Sequence, residues 1–575
     1  MSGPRVWAPK AARVEIESAG QRREMQAEGD GWWGGEELPA GRDYAVVLDG
    51  GPPLPDPRSQ WQPRGVHGPS RWLDPATFVW QDAGWRPPGW EAAVVYELHI
   101  GTFTPDGDFS AAIGKLDHLA SLGVTHIELM PVAEFPGNRG WGYDGVDLFA
   151  PHHAYGGPAG LQQFVNACHR HGLAVILDVV YNHLGPAGNY LARYGPYFTA
   201  RYQTPWGEAL NFDGPENSEV RRFFLANARM WLRDYHCDGL RLDAVHAILD
   251  NSALPFLEEL AGAVRDWEAE LGRPLLLIAE SDANDPRLSA APELGGMGLD
   301  AQWNEDFHHA LHAYLTGERS GYYADFGRLE DLATVLRQGW LYDGRYSRYR
   351  RRAHGRPALG VGGRRLVAYA QNHDQVGNRA QGDRLSQRLR LGQLQIAAAL
   401  VLLGPFTPLL FQGEEWGATT PFLYFTDHAE PELAQAVREG RRREFAAFGW
   451  APEDIPDPQD PAAFARSRLR WHELIEQPHA ELLAWHRDLI ALRRGSSLAR
   501  HEISGQSVAW DESGQWLRLC RGDWLIACNF APGAAAVPLP AGTWTVRLAS
   551  APGIAGGTGG LALPPESVAV LRRGT

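Results

Sequence analysis

Gly239-Leu-Arg-Leu-Asp-Ala-Val-His246 is the stretch of sequence that decides the fold of this chain. Side chains two residues apart on a β-strand face the same way, so Arg241 and Asp243 point to one side while Leu240 and Leu242 pack on the other. The stretch thus predicts an apolar strand that carries a charged pair to its end. Parallel strands of a barrel deliver such residues to one rim, where barrel enzymes have their active sites.

Three further stretches have the same form. Asp178-Val-Val-Tyr-Asn-His183 overlaps one apolar run, Leu275-Leu-Leu-Ile-Ala-Glu280 ends another, and Asn372-His-Asp-Gln375 follows a third. Each predicts a buried strand that stops at a carboxylate or an imidazole. Together with the first stretch, they predict an enzyme whose site is assembled at the ends of several strands.

Eight apolar runs alternate with helix-period segments over roughly 400 residues from about residue 92. This repetition favours an α/β fold of the (β/α)₈ TIM barrel type over an open doubly wound sheet, and no glycine-rich phosphate loop follows the first run. Amphipathic helices are predicted, for instance, at 109–122 and 220–235. The predicted strands are 94–100, 125–130, 174–180, 239–243, 275–280, 300–303, 366–370 and 409–411.

Smaller β domains are predicted on both sides of the barrel. Short alternating runs followed by a Pro-, Gly- and Trp-rich stretch indicate that residues 1–90 form an N-terminal β-sandwich of carbohydrate-binding-module type with its linker. Residues 91–490 are then the catalytic barrel, and residues 491–575 form a C-terminal antiparallel β domain. The connection at 181–238 is longer than a barrel loop, which predicts an inserted subdomain over the active-site rim.

Composition excludes several classes of protein. The 575 residues contain no apolar stretch of the roughly 20 residues that cross a bilayer, and the N-terminus lacks the apolar core of a secretory signal, so we expect a cytoplasmic protein with no membrane partner. A formal net charge of −15 argues against nucleic acid as a partner. The four cysteines show no metal-ligand spacing and are expected to be buried thiols. Most of the 22 tryptophans are expected in packing, and the remainder suit stacking on sugar rings.

Asp243 and Glu280 are predicted to hold opposite protonation states. The guanidinium of Arg241 favours the ionised form of Asp243, which a nucleophile that attacks an anomeric carbon requires. Glu280 ends a run of five apolar residues, and such surroundings favour the protonated carboxyl of a general acid. Because neighbouring strands carry them, the two carboxyls are expected about 5–5.5 Å apart, as in retaining glycosidases.

Three more polar residues near the predicted strand ends are candidates for contacts with a sugar. Asp374 is expected to grip sugar hydroxyls and to favour an oxocarbenium-like transition state. His183 and His373 are expected to donate hydrogen bonds to the same ring. A single histidine of this kind is more often structural, but an ordered set at successive strand ends favours a functional role.

Tyr143 and Asp178 each allow two readings. Tyr143, in Trp141-Gly-Tyr-Asp144, is either a platform under the sugar or a packing residue of the rim. Asp178 either orients Arg241 or serves as its buried ion-pair partner, and these two roles are compatible.

The four strand-end stretches resemble the four motifs of the alpha-amylase family of glycoside hydrolases. Further motifs are similar to those of one branch of that family, the maltooligosyltrehalose trehalohydrolases, from the N-terminal sandwich to the C-terminal sheet. Members of that branch cleave the α-1,4 bond next to a terminal trehalose unit and release trehalose and a shorter maltooligosaccharide. The motifs are Ala279-Glu-Ser-Asp-Ala-Asn-Asp-Pro-Arg287, Asp300-Ala-Gln-Trp303, Phe307-His-His309, Tyr314-Leu-Thr-Gly-Glu-Arg319, Asp343-Gly-Arg-Tyr-Ser347 and Gln371-Asn-His-Asp-Gln-Val-Gly-Asn-Arg379.

The resemblance implies roles for particular residues. Asp243 would be the nucleophile, Glu280 the acid/base and Asp374 the transition-state stabiliser. Tyr349 matches a position where a relative carries phenylalanine, so its hydroxyl is a departure from that pattern. The residues implied to bind substrate are Trp206, Tyr323 and Tyr349 on the trehalose side, together with Tyr143, Asp178, His183, Arg241, His246, His373 and Gln375.

The implied partners are maltooligosyltrehalose and α-1,4-glucan oligosaccharides, with no cofactor. Asn182 matches a residue that helps to bind calcium in several relatives, but no carboxylate cluster near it requires a metal, so none is assigned. The oligomeric state stays open.

Two other functions remain in competition at this point. A glycogen branching or α-1,6-debranching enzyme also joins an N-terminal sandwich to such a barrel. A non-catalytic scaffold or transporter-associated subunit would keep the barrel but would be free to lose Asp243, Glu280 or Asp374. All three residues are present, which favours an enzyme.

Overall fold

A computed structural model describes residues 3–446, 451, 454–500 and 503–574. Its centre is a closed barrel of eight strands, and antiparallel sheets lie on both sides of it along the chain. Within the described residues, no helix combines the length and hydrophobicity needed to cross a lipid bilayer.

The barrel confirms the predicted fold class. Each strand pairs in parallel with the next, and β8 pairs with β1 to close the ring. Every predicted strand bound lies within two residues of the observed one. The strands are β1 Val95–Leu98, β2 His126–Leu129, β3 Ala174–Val179, β4 Gly239–Leu242, β5 Leu276–Ala279, β6 Ala301–Trp303, β7 Leu366–Ala368 and β8 Thr407–Phe411.

The side chains of β4 alternate between the two faces of the strand, as its sequence predicts. Leu240 and Leu242 belong to the large apolar core shared with the surrounding helices. Arg241 is paired in register with Asp178 on β3 and with Ile278 on β5. Both faces of the strand are therefore buried, as parallel sheets require, and the charged residue faces the barrel interior.

Helices surround the barrel. The predicted helix at 109–122 is divided at Gly114, and the side chain of Asp108 accepts from the backbone N–H of Ala111 to cap its first half. The predicted helix at 220–235 begins and ends slightly earlier than expected. The helices are Ile100–Phe103, Phe109–Ile113, Leu116–Leu122, Gly157–Arg170, Leu191–Tyr194, Asn217–Arg233, Phe256–Leu271, Glu305–Thr316, Leu329–Gln338, His373–Gly377, Leu391–Leu403, Pro431–Ala446, Pro461–Ser467 and His479–Arg494.

Antiparallel sheets form at both ends of the described chain, as predicted. In the N-terminal part, one sheet has the order Arg5–Trp7, Trp32–Gly34, Gln26–Gly29, and a second has the order Gln21–Glu24, Val14–Ser18, Asp43–Leu48, Pro53–Leu54, with Ser70–Arg71 also paired to Asp43–Leu48. In the C-terminal part, the order is Gln506–Asp511, Trp516–Arg521, Trp524–Asn529, Ser567–Arg573, Trp544–Ala549, beside the pair Ala535–Pro538 and Gly560–Leu563. The predicted thiols Cys168, Cys237, Cys520 and Cys528 are free, and all but Cys520 are buried.

Three small antiparallel pairs of strands lie in the connections between barrel strands. They are Ala133–Glu134 with Asp147–Pro151 after β2, Phe198–Thr204 with Gly207–Leu210 after β3, and Asp343–Ser347 with Arg352–Gly355 between β6 and β7. The second pair lies in the long connection for which an inserted subdomain is predicted. These ribbons carry or flank several of the predicted site residues.

We expect Phe224→Ala to destabilise the barrel by about 3–5 kcal/mol because it removes a buried ring from the helix that leads into β4. Phe224 is fully buried and contacts the rings of Tyr181 and Phe212. Urea denaturation followed by fluorescence measures the effect. The neighbouring exposed substitution Arg222→Ala is the control and should change stability by no more than about 0.5 kcal/mol. Equal shifts in the two variants would contradict this packing.

Candidate active site

The carboxyl ends of β4, β5 and β7 open into one cleft. Asp243 follows the last residue of β4, Glu280 follows the last residue of β5, and Asp374 lies on the short helix His373–Gly377 after β7. All three line a single cavity of about 770 Å³. The structure thus brings together the three carboxyls that the sequence places at separate strand ends.

Arg241 lies beneath this cleft and is fully buried. Its Nη1 donates to both carboxylate oxygens of Asp178, at 2.8 and 2.9 Å, and to Oδ1 of Asp243 at 2.8 Å. Its Nη2 lies 3.8 Å from Oε2 of Glu280, and the guanidinium carbon lies 4.2 Å from the ring centre of Trp303. One cation therefore lies beside both predicted catalytic carboxyls.

Glu280 has the properties of a general acid. Burial raises the pKa of its carboxyl to about 8; Arg241 opposes this shift, and the negative charges of Asp243 and Asp374 add to it. Its Oε2 accepts a hydrogen bond from the backbone N–H of Ala244 at 2.6 Å, which fixes the orientation of the carboxyl. At neutral pH the group therefore keeps the proton that a leaving group would need.

His373 is held as a cation beside Asp374. Its Nδ1 lies 2.5 Å from Oε1 of Glu97, and its backbone N–H donates to Oε2 of Glu97 at 2.9 Å. Burial lowers its pKa, but the charges of Asp374 and Glu97 outweigh this effect and raise the pKa to about 9. Its Nε2 lies 2.7 Å from the hydroxyl of Tyr143 and 3.5 Å from Oδ1 of Asp374. The imidazolium is thus a charged donor in the cleft.

Two stacked pairs of rings line the cleft. Tyr143 stacks on His373 with ring centres 5.0 Å apart, and Trp206 stacks on His183 with ring centres 4.4 Å apart. The hydroxyl of Tyr143 donates to Asp178 at 2.6 Å, and Nε2 of His183 lies 2.8 Å from the backbone oxygen of Tyr143. Trp206, in the turn of the ribbon after β3, is 49% exposed. Its accessible ring suits a stacking contact with a sugar.

Tyr323 and Gln375 are buried and are not among the residues that line the cavity, so their contacts with substrate stay predictions. Tyr323 is 2% exposed, and its ring stacks on His312 with centres 4.5 Å apart. Its hydroxyl lies 3.0 Å from Nε2 of His308. Gln375 is also buried. Histidines of the helix Glu305–Thr316 cover the ring of Tyr323.

Tyr349 and His246 are more accessible. His246 lines the cleft. Tyr349 is 46% exposed in the turn after the strand Asp343–Ser347, and it is not among the residues that line the cavity. Asp325 holds this turn, because its carboxylate accepts from the hydroxyl of Ser347 at 2.6 Å and from the backbone N–H of Tyr349 at 3.3 Å. The contact of Tyr349 with substrate stays a prediction.

Two acidic residues of the site, Glu97 and Glu305, escaped the sequence-based prediction. Glu97 lies on β1 in Val94-Val-Tyr-Glu-Leu98, and the signal for it was a charged residue inside a run otherwise suited to a buried strand. Glu305 begins the helix after β6. Burial and then the charges of Glu280, Asp282 and Asp374 raise its pKa well above the usual range. Glu305 lies two residues after the end of β6, so the strand end was the signal for it.

The absence of a metal or cofactor stays a prediction. Asn182 is buried, and its side-chain amide has no hydrogen-bond partner within the described part of the chain. The single cluster of possible metal-ligating side chains that the described residues show is formed by Glu134, His152 and His153.

A parallel barrel whose cleft holds a carboxylate paired with arginine, a protonated carboxyl and a third carboxylate defines a glycoside hydrolase of the alpha-amylase class. The family model for the alpha-amylase catalytic domain matches residues 66–203, and that of DUF3459, a domain of unknown function, matches residues 503–570. The malto-oligosyltrehalose trehalohydrolase of Arthrobacter ramosus is 54% identical over 93% of each chain. That of Rhizobium sp. (strain M-11) is 51% identical over 99% of this chain and 97% of its own. The chain belongs to the malto-oligosyltrehalose trehalohydrolase family.

Solved structures agree on the fold. The crystal structure of a candidate alpha amylase from Salmonella typhimurium is 40% identical and superposes with a TM-score of 0.90 over 99% of this chain and 97% of its own. A pullulanase from Anoxybacillus sp. LM18-11, complexed with maltotetraose, superposes with a TM-score of 0.72 over 99% of this chain and 86% of its own. At 17% identity, the pullulanase likeness extends to the fold alone.

We expect Glu97→Gln to lower the pKa of His373 from about 9 toward the ordinary histidine value of about 6.5, because a negative charge 2.5 Å from Nδ1 is removed. NMR titration of the histidine ring signals measures this pKa. The signal of His373 is identified as the one that is missing from the spectrum of His373→Gln. Glu270→Gln, a surface substitution, is the control and should leave this pKa unchanged. An unaltered pKa in Glu97→Gln would contradict the proposed pairing.

Proposed function

We propose that this protein hydrolyses the α-1,4-glucosidic bond next to the terminal trehalose of maltooligosyltrehalose and releases trehalose and a maltooligosaccharide. The observation that carries the chemistry is the pair Asp243 and Glu280 beside one guanidinium, with Glu280 protonated. The trehalose specificity is supported by the names of relatives that are 45–54% identical along most of the chain. Substrates in the wider sense are α-1,4-glucan oligosaccharides.

The first step is a displacement at the anomeric carbon. Oδ1 of Asp243 accepts from Arg241, which leaves Oδ2 as the attacking oxygen. As Oδ2 forms a bond to C1, the glycosidic C–O bond breaks, and Glu280 gives its proton to the departing oxygen of trehalose. The product of this step is a glycosyl ester on Asp243 and free trehalose, as in retaining glycosidases.

The second step returns the enzyme to its starting state. Glu280, now ionised, takes a proton from a water molecule whose oxygen attacks C1. The bond to Asp243 breaks, and a maltooligosaccharide leaves with retained anomeric configuration. Arg241 stays charged throughout, because its pKa lies well above the usual range despite the opposing effect of burial. It thus neutralises the carboxylate that leaves in this step.

Asp374, His373 and Tyr143 are proposed to act on the sugar that is attacked. Asp374 and the His373 imidazolium line the cleft beside Asp243 and Glu280, so they can exchange hydrogen bonds with the sugar hydroxyls. Tyr143 offers its ring beneath the same sugar. These contacts favour the flattened, oxocarbenium-like transition state when they strengthen as the ring distorts.

Product analysis with maltooligosyltrehalose beside maltoheptaose tests the proposed function. We expect trehalose as the main small product from the first substrate and much slower hydrolysis of the second. A branching enzyme would instead form α-1,6 branches on amylose, and a debranching enzyme would release linear chains from glycogen. Either of these outcomes, without trehalose release, would overturn the proposal.

We expect Glu280→Gln to lower kcat by about 10²–10⁴-fold while KM changes little, because the proton donor is lost and the shape is kept. In the wild-type protein, kcat/KM should fall as pH rises through about 8, since ionised Glu280 has no proton to give. An α-glycosyl fluoride is the control substrate, because fluoride leaves without protonation, and its first step should persist in the variant as a burst of fluoride. Equal losses of affinity and rate on the natural substrate would contradict the acid role.

We expect Trp206→Ala to lower kcat/KM for maltooligosyltrehalose by up to about tenfold, since a stacking contact contributes about 0.5–1.5 kcal/mol. Plain maltooligosaccharides should be affected less. Tyr202→Phe in the same ribbon is the control. It removes a hydroxyl that donates to Asp213 and keeps the ring. An even loss on both substrates would remove Trp206 from the subsite that distinguishes them.

A further inference from the structure

Glu134, His152 and His153 form a compact group of possible metal ligands outside the catalytic carboxyls. One donor atom from each residue lies within 4.8 Å of the others. Oε1 of Glu134 is 3.3 Å from Nδ1 of His152 and 2.7 Å from Nδ1 of His153. Bonds of about 2.0–2.1 Å to a tetrahedral zinc ion imply distances of about 3.3 Å between ligands, so small shifts would admit such an ion.

His152 is an independent sign that a partner belongs at this place. Its side chain is fully buried and stacks on Phe135 with ring centres 3.7 Å apart, which fixes the plane of the imidazole. Its Nε2 has no hydrogen-bond partner within the described residues, and its Nδ1 makes a long contact of 3.3 Å with Oε1 of Glu134. A buried imidazole with one unpaired nitrogen is costly. A metal ion bound through Nδ1, on the side of Glu134, would replace the long contact between Nδ1 and Oε1 by two coordinate bonds.

His153 has the second contact that metal-binding histidines usually show. Its Nε2 lies 2.9 Å from Oδ1 of Asn138, while Nδ1 faces Glu134. An N–H···O bond from Nε2 would set the tautomer that leaves Nδ1 free to bind a metal. His153 and Asn138 also line a surface cavity of about 230 Å³, so the group comes to the surface at His153.

We propose that Glu134, His152 and His153 bind a divalent transition-metal ion, zinc being the best match, with water as the remaining ligand. Two imidazoles and one carboxylate suit zinc and its neighbours, whereas calcium and magnesium prefer oxygen ligands alone. The site joins the two ends of the segment at 135–151, because Glu134 precedes this segment and the histidines follow it. That segment carries Tyr143, so a bound ion would brace one wall of the cleft.

The test uses the full chain, stripped of metal with a chelator and titrated with zinc chloride by calorimetry. We expect one equivalent of zinc to bind, and Co²⁺ in its place to give visible absorption typical of a site of low symmetry. His153→Gln should weaken zinc binding by at least about tenfold, and Asn138→Ala by about tenfold through loss of the outer contact. Because the ion would join the two ends of the segment at 135–151, zinc should raise the midpoint of thermal unfolding of the wild-type protein.

His236→Gln is the matched control. His236 pairs with Asp82 at 2.8 Å, in another part of the molecule, and also belongs to a carboxylate–histidine group. This variant should keep wild-type zinc affinity. His67→Gln is a second control. His67 pairs with Glu430 on the same surface cavity, so this variant tests whether zinc binds to that pair instead. It should also keep wild-type zinc affinity.

The proposal is overturned if the wild-type protein binds no stoichiometric zinc, or if His153→Gln binds it as well as the wild type. Loss of binding in His236→Gln or His67→Gln, with binding kept in His153→Gln, would place the ion elsewhere and overturn it as well. His153 is partly exposed, so its substitution leaves the apolar core intact. If the variant nevertheless misfolds, the wild-type protein still provides a test. Co²⁺ added to it without the visible absorption of a low-symmetry site would refute the proposal.

Discussion

The buried guanidinium of Arg241 is the interaction on which the rest of the site depends. A fully buried cation is unfavourable unless anions and hydrogen bonds surround it, and removal of one partner from such a group costs about 3–5 kcal/mol. Asp178 on β3 and Asp243 after β4 provide the carboxyl oxygens that accept its hydrogen bonds, and Trp303 provides a ring from β6. These contacts link three strands of the barrel. The position of Asp243 therefore depends on the register of the strands beside it.

The two catalytic carboxyls differ in their contact with Arg241. Arg241 contacts Asp243 directly but lies farther from Glu280. Beneath them, Glu128 is buried with no hydrogen-bond partner that the described residues provide, and burial raises its pKa well above the usual range. Burial is the largest cause of the raised pKa in both Glu128 and Glu280. Glu280 therefore owes its proton to a burial effect that its longer contact with Arg241 does not offset.

Sequence patterns predicted the parts of the site that depend on strand periodicity. The eight strands, the inward position of Arg241 and the meeting of Asp243, Glu280 and Asp374 follow from alternation and barrel closure. Residues whose position depends on loops were less predictable. Tyr323 is buried because a helix with several histidines covers its ring, and no periodic pattern encodes that contact. Glu97 was missed because its role depends on β1 closing against β8, which brings it to His373 from 276 residues away.

The most direct test of the central claim is to trap the intermediate. A 5-fluoroglycosyl fluoride with an α-1,4-glucan chain would form the ester rapidly and release it slowly, and mass spectrometry of peptic fragments would locate the sugar. The account predicts one equivalent of adduct on the peptide that contains Asp243. An adduct on the peptide that contains Asp374 or Glu280, or no adduct together with inverted product by NMR, would contradict it.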